Sequence, residues 1–279
     1  MNRTWEWSLS GYDVTNKSPK EICDLCREIG AAGIEGAPPL YEGLSESQLQ
    51  KIGELFRNEG VKIQTFHLPF SHEYNIASFY ETLRKQAVEG IQRWMERGAT
   101  LGASIMILHP SSDQFNITAE GIDKYKIALS KSIEELLLIA KRLNVTIALE
   151  NMPPRHGIRF GSLPEHFEFF AKEFKDPNFG FCLDVGHALM AVYDDANLFF
   201  KVMGNDIKAF HLQDNAGDRD SHLAPGRGLV NWEQVFQEMT RMQFSSTLKS
   251  RLICNYVKEK NKRMLYLQGI SPIYLLLFH

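Results

Sequence analysis

Cysteine is scarce in this chain, four in 279 residues, and the spacing does not suggest a disulfide framework. Cys23 and Cys26 form a C-x-x-C, but within a helical pattern and without a second pair to complete a four-ligand zinc site. We read them as thiols on a helix face, in keeping with a reducing, cytoplasmic location. No apolar run approaches the ~20 residues of a membrane span. The first ten residues, MNRTWEWSLS, lack the apolar stretch of a signal peptide. A net charge of -3 gives no global basic field, so neither nucleic acid nor a membrane is the expected partner. After the first apolar segment the chain reads Ser8-Leu-Ser-Gly-Tyr12-Asp, which lacks the glycine-rich phosphate turn of an open dinucleotide-binding sheet.

What the chain does contain is a regular alternation. Strand-like segments at 5–9, 33–35, 61–66, 104–108, 145–149, 179–183 and 207–210 are separated by helix-like ones. Helix starts are marked by Ser18 with Glu21, Ser45 with Gln48, Ser78 with Glu81, Ser162 with Glu165 and Asn231 with Gln234. The helix after Ser78 is expected to bury Phe79, Leu83, Ala87, Ile91 and Trp94. Seven such units and a tail, with no linker between them, predict an α/β fold: a (β/α)8 TIM barrel, one domain over residues 1–279, with an atypical eighth unit.

Chemistry gathers where the strands end. The run Phe179-Gly-Phe-Cys-Leu183 stops abruptly at Asp184, and Gly186 allows a turn that brings His187 to the same point. A carboxylate ending a buried strand needs a cation or a hydrogen-bond partner. Taken alone, the pair fits a structural Asp–His hydrogen bond as well as a metal site. The same event recurs, however: other strand ends carry Glu35, His67, His109, Glu150 and His211. In a barrel all of these face one mouth, and convergent ionisable groups mark a functional site. His67, His109, Glu150, Asp184 and His211 are therefore the candidate metal ligands, while an ion pair with a nearby base is an equal reading for Glu35. Asp220 and His222 sit in the loop after the seventh strand, before Pro225-Gly-Arg-Gly228, a turn that can fold the loop over the mouth, and with His211 nearby they are read as further metal ligands. His166 is read as helix surface, and His72, His156 and His279 are left unassigned.

In order, His67-Leu-Pro, Leu108-His109, Ala148-Leu-Glu150-Asn151, Leu183-Asp184-Val-Gly-His187, His211-Leu-x-Asp214 and Asp220-x-His222-x-x-Pro-Gly-x-Gly228 resemble the sugar phosphate isomerase/epimerase and endonuclease IV superfamily, the xylose isomerase-like TIM barrels that include AP endonuclease family 2. The resemblance covers about residues 3–244, leaving 245–279 as a divergent segment. It implies a divalent metal ion, zinc, manganese, cobalt or magnesium. In the sugar-epimerase branch, Glu150, Asp184 and His211 would hold one ion. His187, Asn151 and Glu35 would face the substrate, with Glu150 and His187 as the catalytic pair. In the endonuclease branch, His67, His109, Glu150, Asp184, His187, His211, Asp220 and His222 would share up to three zinc ions.

The resemblance also implies a metal-binding glutamate at the end of strand eight. No acid occurs between Glu238 and Glu259. Strand spacing puts the eighth strand end between 238 and 253 and makes Arg251 the residue expected at the missing ligand's place, where a permanently charged guanidinium would repel a cation. The expectation is thus a metal-dependent sugar (phosphate) isomerase or epimerase working through an enediolate on a small sugar or polyol, impaired by the lost glutamate. The alternatives are a zinc phosphodiesterase acting at abasic DNA and a non-catalytic sugar-binding barrel.

Overall fold

Backbone pairing carries the alternation into a closed ring. The computed structural model describes residues 5–112, 117–154, 158–192 and 196–242, together with the backbone of 251–254. Eight parallel strands, β1 (Trp7–Ser10), β2 (Gly33–Gly36), β3 (Lys62–His67), β4 (Ile105–Leu108), β5 (Thr146–Glu150), β6 (Phe179–Asp184), β7 (Ile207–Leu212) and β8 (Arg251–Cys254), pair in sequence order, and β8 closes onto β1. His156, His279 and residues 255–279 lie outside the described residues.

The period of two along each strand explains what the barrel presents at its mouth. Ile105, Ile107, Ala148, Cys182 and Ala209 form a separate buried cluster inside the ring. Two residues further along the same strands, or just past their ends, stand His109, Glu150, Asp184 and His211. Small and apolar side chains therefore fill the layer below, and the ionisable ones cap it. The outward-facing strand residues, among them Phe66, Met106, Leu149, Phe181 and Phe210, join the larger core under the helices.

Local signals set most helix starts. Ser18 with Glu21 and Ser45 with Gln48 form reciprocal capping boxes, and the Asn231 side chain accepts the Gln234 N–H. Two expected caps are corrected. Helix Glu81–Leu101 starts after Tyr80, and the Ser78 hydroxyl accepts the Tyr80 N–H instead of capping. Of its expected stripe, Ala87 and Ile91 are buried and Phe79 and Trp94 pack against the core, but Leu83 is exposed and Arg84 is buried instead, with bonds to Glu81, Ser132 and Glu135. Those three acceptors offset the burial of the guanidinium, which a hydrophobic-periodicity reading could not foresee. Ser162 donates to the Arg159 carbonyl and does not cap helix Glu165–Glu173.

The position expected for the missing ligand is also corrected. In the β7–β8 ladder Arg251 pairs with Ala209, and it is Ile253 that lies level with His211. Arg251 therefore belongs to the lower layer's register, and the residue at the height of the ligands is an isoleucine, which has no ligand atom.

His166 is buried and not on the helix surface. The chain before its helix leaves two amides to be paired, and the His166 Nδ1 accepts both, from Gly161 at 3.0 Å and Leu163 at 3.3 Å. Burial pushes His166 down to about 4. The unfolded chain takes up a proton near pH 6.5, whereas the native ring resists it until about 4, so this contribution to stability is complete above 6.5 and is lost as pH falls towards 4. His166→Asn, whose amide oxygen can replace Nδ1 as acceptor, is expected to flatten the stability–pH curve across that window by roughly 2 kcal/mol. Urea unfolding at pH 4.5 and 7 checks this; parallel curves for variant and wild type would contradict it.

Candidate metal centre at the barrel mouth

Glu150 ends β5 almost wholly out of solvent, 1% exposed, with imidazoles on either side. Its Oε1 lies 2.9 Å from His211 Nδ1, and its Oε2 lies 3.2 Å from His109 Nε2 and 3.5 Å from His67 Nε2. The contacts of Oε2 do not have hydrogen-bond alignment, although the atom is buried. The His67 Nδ1–H is directed to the Leu68 carbonyl at 2.9 Å, which leaves Nε2 with its lone pair facing Glu150.

Asp184 is placed by its neighbours on β5. The Asn151 amide clasps its backbone, accepting the Asp184 N–H at 2.7 Å and donating to the Asp184 carbonyl at 2.9 Å. The Asp184 carboxylate accepts the His187 N–H and so caps helix Val185–Ala191. His187 Nδ1 donates to the Asn151 carbonyl at 2.7 Å, and Nε2 points to Asp220 at 3.3 Å. Asn151 is itself fully buried, with both ends of its amide engaged. The structure thus places it beside Asp184 and His187, where it holds them.

The loop after β7 is held by Asp214, which sequence reading quoted within a motif but gave no role. Its carboxylate accepts N–H groups from Asn215, Gly226, Val230 and the Trp232 indole, all between 2.9 and 3.0 Å. Gly228 is required here, since a Cβ would lie 2.2 Å from the Asn215 carbonyl oxygen. The pinned loop delivers Asp220, with His222 Nε2 3.1 Å from its Oδ2. Gln213, also unassigned in the sequence, spans the gap: its amide donates to Asp184 at 3.1 Å and Asp220 at 3.0 Å.

Charges are shared in a way that leaves room for a cation. Burial raises Asp184. Burial also works to raise Glu150, but His211 and His109 keep it well below the usual carboxylate range. Burial pulls His109 down to about 4, so its ring is neutral and can act as a ligand. Burial works against protonation of His187 as well, but Asp184, Asp220 and Glu150 lift it to about 9. Against the same burial, Cys182, Glu150 and Glu35 hold His211 well above its ordinary range. Without a metal, the imidazolium rings thus carry the positive charge that the carboxylates require.

Among the described residues, four groups of ligand atoms are close enough to hold an ion: His67, His109 and Glu150; Glu150, Asp184 and His187; Glu150, Cys182 and His211; and His187, Asp220 and His222. Ligand atoms around a tetrahedral zinc at about 2.0–2.1 Å lie about 3.3 Å from one another by simple geometry. The separations of 3.2 and 3.5 Å around Glu150 Oε2, without hydrogen-bond alignment, match that spacing. The residues therefore fit a divalent metal. All the candidate ligands, and Glu35, line one cavity of about 600 Å³, walled in part by Tyr12 and Phe70.

The family model described as xylose isomerase-like TIM barrel matches residues 23–269. An uncharacterized protein of Methanocaldococcus jannaschii is 30% identical over 263 residues, covering 91% of this chain and 87% of that protein. A protein of Sulfurihydrogenibium sp. named "Probable endonuclease 4" is 21% identical, over 81% of this chain and 85% of its own length. Among solved structures, a D-tagatose 3-epimerase-like protein superposes with a TM-score of 0.75 at 23% identity, covering 90% of both chains. The zinc-bound IOLI protein superposes with a TM-score of 0.72 at 20% identity, covering 89% of this chain and 88% of that one. At these identities the two structures establish the fold alone.

Removing one ligand tests the centre. Asp184→Ala is expected to lower zinc affinity at least about 10-fold while costing only about 1 kcal/mol for the lost helix cap. Competition against a chromophoric chelator measures the first and thermal unfolding the second. Unchanged affinity and stoichiometry would remove Asp184 from the ligand set.

Proposed function

The chain belongs to the xylose isomerase-like TIM-barrel family, and from that premise we propose that it is a metal-dependent isomerase of a small sugar or related polyol. The observation that carries this reading is the cavity of about 600 Å³ with Glu150 and its imidazoles at the floor. That volume suits a small molecule. Three imidazoles among the ligands favour zinc or cobalt over magnesium.

His67, His109, Glu150, Asp184 and His211 would hold the ion, which when bound would polarise a carbonyl and stabilise negative charge on adjacent oxygens. Glu150, kept ionised, takes the proton from the carbon beside the carbonyl. The electrons of that C–H bond form the double bond of an enediolate, and the carbonyl electrons move onto oxygen. His187 holds a proton at Nε2, its Nδ1–H being fixed on the Asn151 carbonyl, and passes it to that oxygen. Return of the first proton to the former carbonyl carbon, as the hydroxyl on the adjacent carbon gives its proton back to His187 Nε2 and its oxygen becomes the new carbonyl, completes an aldose–ketose interconversion. Inversion at a single carbon needs a second base on the opposite face, and β8 carries isoleucine level with His211. This favours isomerisation over epimerisation.

A second reading, a zinc phosphodiesterase acting on abasic DNA, is favoured by the His187, Asp220 and His222 group, which offers a further ion site. The two readings separate in one experiment. Zinc- or manganese-loaded protein is expected to exchange the proton next to a sugar carbonyl with solvent deuterium, followed by NMR over a panel of aldoses and ketoses. Glu150→Gln should slow that exchange at least about 100-fold. Cleavage of an abasic-site duplex, with no exchange on any sugar, would overturn the isomerase reading.

A further inference from the structure

The His211 ring lies between two carboxylates. Its Nδ1 faces Glu150 at 2.9 Å and Asp184 at 3.8 Å, and its Nε2, on the far side of the ring, faces Glu35 Oε2 at 3.4 Å. Glu35 comes from β2, on the opposite side of the ring from β6, and is 2% exposed. Such a residue is costly to keep ionised unless its partner is worth the desolvation.

The backbone is arranged to bring it there. Between the pairs Ile34–Ile63 and Gly36–Phe66 the β2–β3 ladder slips, so that Glu35 alone stands opposite two residues of β3. Irregularities of this kind re-aim a side chain and cluster at active sites. The neighbouring Gly36 packs against the Phe66 ring, where a Cβ would come within 2.5 Å of the ring. Two independent features, the ladder slip and the contact with Nε2, therefore concern the same carboxylate.

We propose that Glu35 is the positioning residue of the metal centre: it holds the proton of His211 on Nε2 and so turns the Nδ1 lone pair towards Glu150, Asp184 and the ion. An imidazole nitrogen can either carry a proton or bind a metal, and the group that accepts a hydrogen bond from one nitrogen decides which nitrogen is free. Glu35 is too far around the ring to share the ion bound at Nδ1, so it acts through His211. It thereby supplies negative charge behind the ligands in a barrel whose eighth strand brings isoleucine to that level. The sequence leaves Glu35 open between an ion pair with a nearby base and a place against substrate; this role makes it the partner of a ligand. The inference rests on the metal-dependent reading above.

The test is metal affinity and ring protonation, not turnover. Zinc competition titrations and nitrogen-15 NMR of the histidine rings are made on wild type, Glu35→Gln and Glu35→Ala, with circular dichroism to confirm folding. Wild type is expected to show zinc on His211 Nδ1 and a proton on Nε2. Glu35→Ala should weaken zinc about 10–100-fold and change that ring pattern. Glu35→Gln, which keeps an acceptor but no charge and is the milder change should alanine unfold the barrel, should fall between the two. Tight zinc in wild type with the same affinity and the same His211 pattern in both variants overturns the role of Glu35 alone. A wild type that binds no divalent ion overturns the metal-dependent reading, and this inference with it.

Discussion

A carboxylate buried at the centre of a protein dictates what surrounds it. Glu150 is out of solvent at the end of β5, and the desolvation it suffers is offset by His211 and His109, while His67 meets its second oxygen. Those imidazoles come from three different strands, so their meeting needs a closed ring of the right diameter. Barrel closure and site chemistry are thus one constraint. The small residues Ala148, Cys182 and Ala209 beneath the mouth leave space for the larger ionisable groups above.

Around that centre, the structure invests backbone contacts in aiming side chains. Asn151 ties the end of β5 to the end of β6, fixing Asp184 and His187 together. Asp214 uses its whole accepting capacity to fold the loop that carries Asp220 and His222. Gln213 then stands between the two acids, made possible by Gly186, where any Cβ would collide with its amide. Asn151 and Asp214 touch neither solvent nor, on this reading, the reacting atoms. They set the positions of groups that do.

Much of this was legible in the sequence because strand periodicity is strict. Once β5 and β6 are recognised, the positions of Glu150 and Asp184 at the strand ends follow, and the recurrence of His67, His109 and His211 repeats the signal. Capping boxes at Ser18 and Ser45 depend only on neighbours within one turn, so they too were readable. Errors arose where distant contacts decide. Arg84 could be buried because Ser132 and Glu135 lie on another helix, which no local pattern reveals. His166 looked like surface because its partners are backbone amides of a preceding loop. Arg251 was set too high because strand spacing locates a strand end only to within several residues, whereas the ladder with β7 fixes it. Asn151 was recognised as belonging to the site, but not that the Asp184 backbone would occupy both ends of its amide.

The central claim is that Glu150 and its imidazoles form a divalent-metal site. Crystals grown with zinc, measured on both sides of the zinc absorption edge, test it most directly. An anomalous peak is expected within coordination distance, about 2.0–2.2 Å, of Glu150 and of the imidazole nitrogens beside it, His67 Nε2 and His109 Nε2 at Oε2 or His211 Nδ1 at Oε1. The imidazole rings should then stand around the ion with little movement from the positions described. Fully zinc-equilibrated crystals with no anomalous peak at the mouth, and Glu150 hydrogen-bonded only to protonated histidines, would contradict it.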